Sequence, residues 1–433
     1  MKLHLALLAA FLITFTGLIA QEKSDVSNDS LLKSLQLVKK DVDQSKKLKI
    51  NGWIQAQYQY TDTTGVKNYD GGDFPANVNS RFMLRRARVK FTYTSGLVQY
   101  VFQLNATERF VNIADFYGKV SEPWTKWLAL QVGMTNRPFG YDIQMSSQYR
   151  ESPERARYTQ VLTPNERDMG AEIIAEAPVG SKLRGLTVTA GFFNGTGLTI
   201  PAVNISDIDS KKDFIGRAAY YSHTKNDRIK YGFGFSHYNG YERIANNIYY
   251  NSIGSVNGND LVFKAADTSA TSYKDKYAKR VYYGGEALFS FKWPAGTTTL
   301  RGEYVFGTQP GSATDSKSPQ VPTTGATYFR PFNSSYVFFI QQIGKSKHEL
   351  VVKYEFYDPN SKVSGNQIDP GKGFTAADIR YHALGLGYNF NMNENCKFMF
   401  YYNMVTNETS TKLAGFSRDL PDNIFTARLQ VRF

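Results

Sequence analysis

The sequence predicts an all-β chain: a 16-stranded antiparallel transmembrane β-barrel over residues 47–433, with a short N-terminal periplasmic helix ahead of it. Three observations predict it. Hydrophobicity alternates with period two in segment after segment, most of them near the ~9–11 residues that cross a bilayer at a tilt. The connections between these segments alternate between short and long, as they do in barrels with tight turns on one rim and loops on the other. The last segment sets Phe425, Ala427, Leu429, Val431 and Phe433 on one face against Thr426, Arg428, Gln430 and Arg432 on the other. Such an edge strand invites aggregation in water, whereas a closed barrel turns it into a lipid-facing stripe. Composition agrees. Aromatic residues make up 15% of the 433, which excludes a disordered chain, and one cysteine excludes a disulfide scaffold and a Cys-based zinc site. Beyond position 20 no apolar run approaches the ~20 residues of a membrane helix, so any membrane crossing falls to strands.

Taken in order, residues 1–20 read as a signal peptide: Lys2, an apolar stretch from Leu5 to Leu18, and Ala20 before Gln21. An N-terminal membrane anchor is the competing reading. Residues 21–46 form a periplasmic helical or linker segment. Within it Leu31, Leu35, Val38 and Val42 are spaced 4, 3 and 4, the spacing of a helical seam. Two heptads do not hold a helix in water alone, so the seam implies either an oligomerising helix or one resting on a larger body.

From 47 onward the strands are expected at 47–61, 81–94, 97–109, 112–120, 127–133, 168–178, 185–194, 213–222, 228–238, 279–292, 296–307, 334–342, 346–357, 378–390, 395–407 and 421–433. The first shows the rule: Ile50, Gly52, Ile54, Ala56, Tyr58 and Tyr60 alternate with Asn51, Trp53, Gln55, Gln57 and Gln59. Ala87, Val89, Phe91 and Tyr93 alternate with Arg86, Arg88, Lys90 and Thr92 in the second. Long connections fall at 62–80, 134–167, 195–212, 239–278, 308–333, 358–377 and 408–420. Trp124, Trp127 and Trp293 sit at short turns, where an aromatic girdle meets the membrane interface.

If the aromatic positions face lipid, the alternate positions face a water-filled lumen, and there basic side chains outnumber acidic ones. Arg86, Arg88, Lys90, Arg109, Lys119, Arg217, Arg228, Lys230 and Arg301 are among the basic ones. Like charges along a pore wall select counter-ions, and rings of Arg or Lys favour anions and phosphate. Arg86, Arg88 and Lys90 share one face of one strand at ~6.6 Å intervals, a ladder along which an anion could pass. Basic residues that merely balance acidic loops or bind lipopolysaccharide are the alternative.

Phe82-Met-Leu-Arg-Arg-Ala-Arg-Val-Lys90, Asp115-Phe-Tyr117, Leu130-Gln-Val-Gly-Met-Thr-Asn-Arg-Pro-Phe-Gly140 and Glu154-Arg155, in this order and spacing, resemble the phosphate-selective porin O and P family of outer-membrane porins. The resemblance covers roughly 47–195, and the C-terminal half matches in barrel pattern only. It implies a homotrimer of 16-stranded subunits and an inward-folded third external loop, with arginines and lysines lining the path to a constriction. By position Arg85, Arg86 and Arg88 fall on the family's Arg-Arg-x-Arg strand. The 134–167 loop falls on its constriction loop, carrying Arg137, Arg150, Arg155, Arg157 and Arg167 against Asp142, Glu151, Glu154 and Glu166.

Enzymatic signatures are weak. His223, His237, His348 and His382 show no metal-ligand spacing, and no G-x-S-x-G elbow occurs. Asp207, Asp209 and Asp213 lack an EF-hand spacing, so no metal or cofactor is expected. Nor is a nucleic-acid partner. The expected surroundings are outer-membrane lipid and lipopolysaccharide of a Gram-negative bacterium, the barrel-assembly machinery that reads a terminal Phe strand, and small anions such as phosphate or polyphosphate. A general porin without solute preference, or a surface receptor or adhesin barrel, are the competing functions.

Overall fold

A computed structural model describes residues 47–433 apart from 198–206, 208, 245, 247, 257, 259, 267–272 and 320–324. Of the first 46 residues only Lys33, Gln36, Leu37 and Lys39 are described, all helical. The signal peptide and the Leu31–Val42 seam lie outside the described residues.

The first strands are β1 (Leu48–Thr61), β2 (Ser80–Ser95), β3 (Val98–Ala106), β4 (Val111–Ser121) and β5 (Leu128–Asn136). Two short helices, α1 (Tyr141–Gln144) and α2 (Arg157–Leu162), lie in the next connection. There follow β6 (Arg167–Glu176), β7 (Leu186–Phe193), β8 (Asp213–His223), β9 (Ile229–Arg243), β10 (Tyr249–Val256), β11 (Asp260–Ala265) and β12 (Tyr277–Trp293). The last are β13 (Gly296–Gly311), β14 (Thr327–Ile343), β15 (His348–Asp358), β16 (Tyr381–Asn391), β17 (Cys396–Asn407) and β18 (Ile424–Arg432).

Sixteen of these strands, all but β10 and β11, close into one antiparallel barrel, each paired with its sequence neighbour. β9 pairs directly with β12, and β18 returns to β1 with Trp53 opposite Arg432 and Thr61 opposite Ile424. The Phe433 and Gly52 backbones bond each other at 3.0 and 3.1 Å across this seam. A Cβ on Gly52 would meet the Arg88 carbonyl of β2 at 2.4 Å and the Phe433 ring at 2.8 Å, so residue 52 has no room for a side chain between β2 and the C-terminal ring.

Period two decides the wall. Ile54, Tyr60, Phe116, Leu130, Ile173, Phe233, Phe289, Leu350 and Phe400 are exposed on the outside, while Gln55, Gln57, Gln59, Gln103, Gln131 and Glu172 are buried within. An apolar exterior around a polar interior, with every ladder closed, is how strands satisfy backbone groups in hydrocarbon. The chain is accordingly an outer-membrane barrel of a Gram-negative bacterium.

Three features add to or depart from the expectation. The first concerns the 239–278 connection, which contains the β10–β11 hairpin. It pairs with the start of β14 at Tyr249–Thr327 and Tyr250–Tyr328, and Phe263 packs edge-on to Tyr328 with ring centroids 4.9 Å apart. Phe263 of this hairpin packs with Val363, Ile368, Phe374, Ile379 and Leu413 of two other external loops, so burial beneath those loops makes it a structured element. The second concerns aromatic residues, which do not all face lipid. Tyr238, Tyr282, Phe332, Tyr336, Phe338, Tyr357 and Tyr401 point inward on β9 and β12–β17, because an inward loop gives them something to pack against. The third concerns strand length: β14 begins at Thr327 rather than 334, and β9, β12 and β13 run on beyond their expected ends.

Candidate functional site: the inward loop and the lumen wall

The 137–166 connection leaves β5 and folds into the barrel. Gly140 makes this possible. Its φ is +64°, a Cβ there would lie 2.0 Å from Glu303, and its N–H donates to Ser236 Oγ at 2.9 Å. Phe139 then lies edge-on to Tyr238 and Tyr282, with ring centroids 6.3 and 6.2 Å away, and Tyr158 stacks on Tyr336. Asp142 clasps the two limbs of the loop, accepting from Thr159 Oγ1 at 2.7 Å and from the Ala156 N–H at 3.1 Å. Buried aromatic surface of this kind contributes a few kcal/mol per ring.

The tip is held by charge and by amides. Gln55 and Gln430 donate to the carbonyls of Ser147 and Gln148, Lys397 to that of Arg150, and Arg428 to that of Pro153. Glu154 receives Arg85 at 2.8 and 2.9 Å, Arg86 at 2.6 Å and Arg428 at 3.0 Å. Burial pushes the Glu154 carboxyl up, but these three guanidiniums outweigh it and hold the group well below the usual carboxylate range. Arg301 grips Glu151 with two hydrogen bonds, at 3.2 and 2.7 Å. On the return limb Arg155 bonds Glu166, and Arg167 bridges Glu166 at 3.0 Å and Asp115 at 2.6 Å. Asp115 faces inward because the β3–β4 ladder shifts register between Gln103 and Leu104, which lets Asn112 and Asp115 share the lumen side.

These contacts revise the expected pathway. Arg85 and Arg86 are consecutive yet both reach Glu154, so the inward phase of β2 changes at this point and neither is a free rung. Arg217 is paired with Glu286 and Arg301 with Glu151. Each is the mate of a carboxylate, buried in Glu286 and half-buried in Glu151, rather than an open counter-charge. Arg109 lies past the end of β3, exposed beside Glu108 in an external turn. Arg228 lies just before β9 on an exposed turn, its Nε 3.4 Å from the Lys292 carbonyl. Neither lines the lumen wall. Arg137 is wholly buried behind the loop, 3.6 Å from Asp168. Arg150 is buried too, with Nε and Nη1 accepted by nothing, and burial together with Arg155 and Arg86 lowers its proton affinity. Arg157 lies between the rings of Tyr381 and Tyr69, at 3.6 and 4.7 Å.

Of the expected pathway residues, Arg88, Lys90 and Lys119 lie on the lumen wall without a carboxylate within 4 Å among the described residues; Lys397 also lacks one, but its ammonium is taken by the Arg150 carbonyl. Arg88 donates to Asn105 at 3.0 Å and lies over Trp53; Lys90 is opposite Gln103; Lys119 is opposite Gln99 and Gln131. All three are half-buried on β2 and β4. Lys230 is exposed near the periplasmic end of β9. Sequence reasoning missed the inward aromatics, and the cue was present: Tyr282, Tyr336 and Tyr401 sit out of phase with the lipid-facing residues of their own strands.

No family model matches the chain, and no curated protein does. Solved structures do. The outer-membrane channel DcaP of Acinetobacter baumannii superposes with a TM-score of 0.51 at 10% identity, covering 89% of this chain and 97% of that one. OprB of Pseudomonas putida gives 0.52 at 12% identity, covering 92% and 97%. An anion-selective porin from Comamonas acidovorans gives 0.50 at 12% identity, covering 89% and 98%. At these identities the likeness is one of fold, and the fold is that of the porins.

Proposed function

We propose that this chain is a passive diffusion channel for small anions, phosphate among them, and that it catalyses no reaction. One observation carries the reading. The carboxylates of the inward loop are spent on the arginines that hold it, while Arg88, Lys90 and Lys119 stay unpaired on the lumen wall. Two unit charges ~4 Å apart interact by ~1 kcal/mol in bulk water and by several in a partly dehydrated pore. Three such groups bias permeation toward anions without binding any ion tightly. Assembly as a homotrimer and removal of residues 1–20 on export belong to the same proposal; light scattering of the purified barrel and sequencing of its N-terminus test them.

Reversal potential in a planar bilayer under a KCl gradient tests the ion preference. The wild type is expected to favour chloride. Arg88→Gln, Lys90→Gln and Lys119→Gln together should bring the permeability ratio toward unity, most at low salt, where screening is weakest. Insertion should be unchanged, since the lipid-facing alternates Ala87, Val89 and Phe91 are retained. A wild-type reversal potential of zero favours a general porin, and absence of current favours a receptor with a closed lumen.

A further inference from the structure

At the external end of the barrel a cavity of about 700 Å³ opens between residues 63–73, α2, Thr314–Lys317 and the connections 359–380 and 408–423. Its charge is balanced: Lys67, Arg157 and Lys317 against Asp73, Asp315 and Asp422. A balanced set gives no net attraction for a bare ion of either sign. The cavity is also far larger than a hydrated inorganic anion needs, and lies within the range that holds organic ligands.

Its chemistry is that of a half-finished hydrogen-bonding site. Arg157 is flattened between Tyr69 and Tyr381, so its guanidinium plane is fixed and its N–H edge can be approached. It makes no ion pair within 4 Å among the described residues. Asp422 is 7% exposed, lines the same cavity, and its Oδ1 is buried with no hydrogen-bond partner. An unpaired buried acceptor costs roughly 1–3 kcal/mol until something donates to it. A fixed donor edge and an unmet acceptor thus share a space walled by Tyr69, Tyr357, Tyr381 and Phe416.

We infer that this vestibule binds a saccharide, a neutral hydroxylated ring that donates to Asp422, accepts from Arg157 and lays its C–H face on the Tyr and Phe rings. Hydroxyl groups both donate and accept, which a halide does not, and a phosphate dianion brings two negative charges that a lining of balanced charge does not offset. Two sugar rings fit the volume. The site goes beyond the proposed ion preference, since it lies above the wall that carries Arg88, Lys90 and Lys119 and carries no net charge.

The test is single-channel recording with cellobiose added on the loop side. Millimolar sugar is expected to interrupt the current in a concentration-dependent way, the affinity range of a few good hydrogen bonds and one ring stack. Asp422→Asn and Phe416→Ala should each raise the half-blocking concentration about tenfold, near 1.4 kcal/mol, with unit conductance unchanged to show an intact barrel. Alanine, a zwitterion that could also bridge Arg157 and Asp422, should not interrupt the current. Block by alanine at equal concentration, no block by cellobiose, or unaltered sugar affinity in both variants overturns the assignment. The reversal potential recorded before sugar is added reports on the ion preference separately, so failure of one reading is distinguishable from failure of the other.

Discussion

Glu154 concentrates what single residues do here. Three guanidiniums from β2 and β18 converge on it; without it Arg86 and Arg428 would be buried charges with no counter-charge, and half-buried Arg85 would lose its two-point partner. Breaking a buried pair by removing one partner costs roughly 3–5 kcal/mol. Glu154→Gln is therefore expected to lower the temperature at which the folded barrel's band shifts on a gel. It should also raise the anion-to-cation permeability ratio, because Arg85, Arg86 and Arg428 become free charges. An unshifted transition would show that the amides at the loop tip suffice. The pH dependence follows from the same group. Its folded-state affinity for a proton is depressed, so its contribution is present above the ordinary carboxylate value and is lost only as pH falls through the lower folded one. The loop should thus stay seated at mildly acidic pH. At this scale the sequence was partly legible. That Arg85, Arg86 and Arg88 matter could be read from their spacing. That two of them are neutralised could not, because their partner is 68 or 69 residues away along the chain.

Among the elements, the sixteen wall strands were readable because a lipid face and a water face impose period two on every one of them. What was not readable has one physical cause. The inward loop and the external hairpin create buried surface where a bare barrel would have solvent, so inward Tyr and Phe positions break the alternation expected of a pore wall. The loop depends on its first turn. Gly140→Val places a branched side chain at φ +64°, into the Glu303 carboxylate. The 137–166 segment is expected to leave its seat, giving larger and noisier conductance and new protease cleavage within it, while the wall still forms. Normal conductance with a protected loop would mean that Phe139 and Tyr158 alone hold it in place.

For the whole molecule the decisive contact is the seam. A barrel has no edges only if its first and last strands meet, and here they meet through nine paired positions and the two Gly52–Phe433 bonds. Removing Phe433 takes away both bonds and the ring over Gly52. Folded barrel in the membrane fraction is expected to fall severalfold, with the reversal potential of surviving channels unchanged; equal yield would show that the remaining ladder closes alone. The seam has another consequence. An even number of spans leaves the start of β1 and the end of β18 side by side on the periplasmic rim, a few residues apart. Along the ring, the boundary between β18 and β1 is geometrically one antiparallel pair among sixteen, and what distinguishes it is that no peptide crosses it. Bridging Phe433 to Leu48 with a short glycine-serine linker and cutting the chain at Pro294-Ala295 would give a circular permutant with the same wall and a different last strand. Whether that permutant reaches the membrane separates two roles of the Phe425–Phe433 stripe: a sheet partner that closes the ring, or an address that must arrive last.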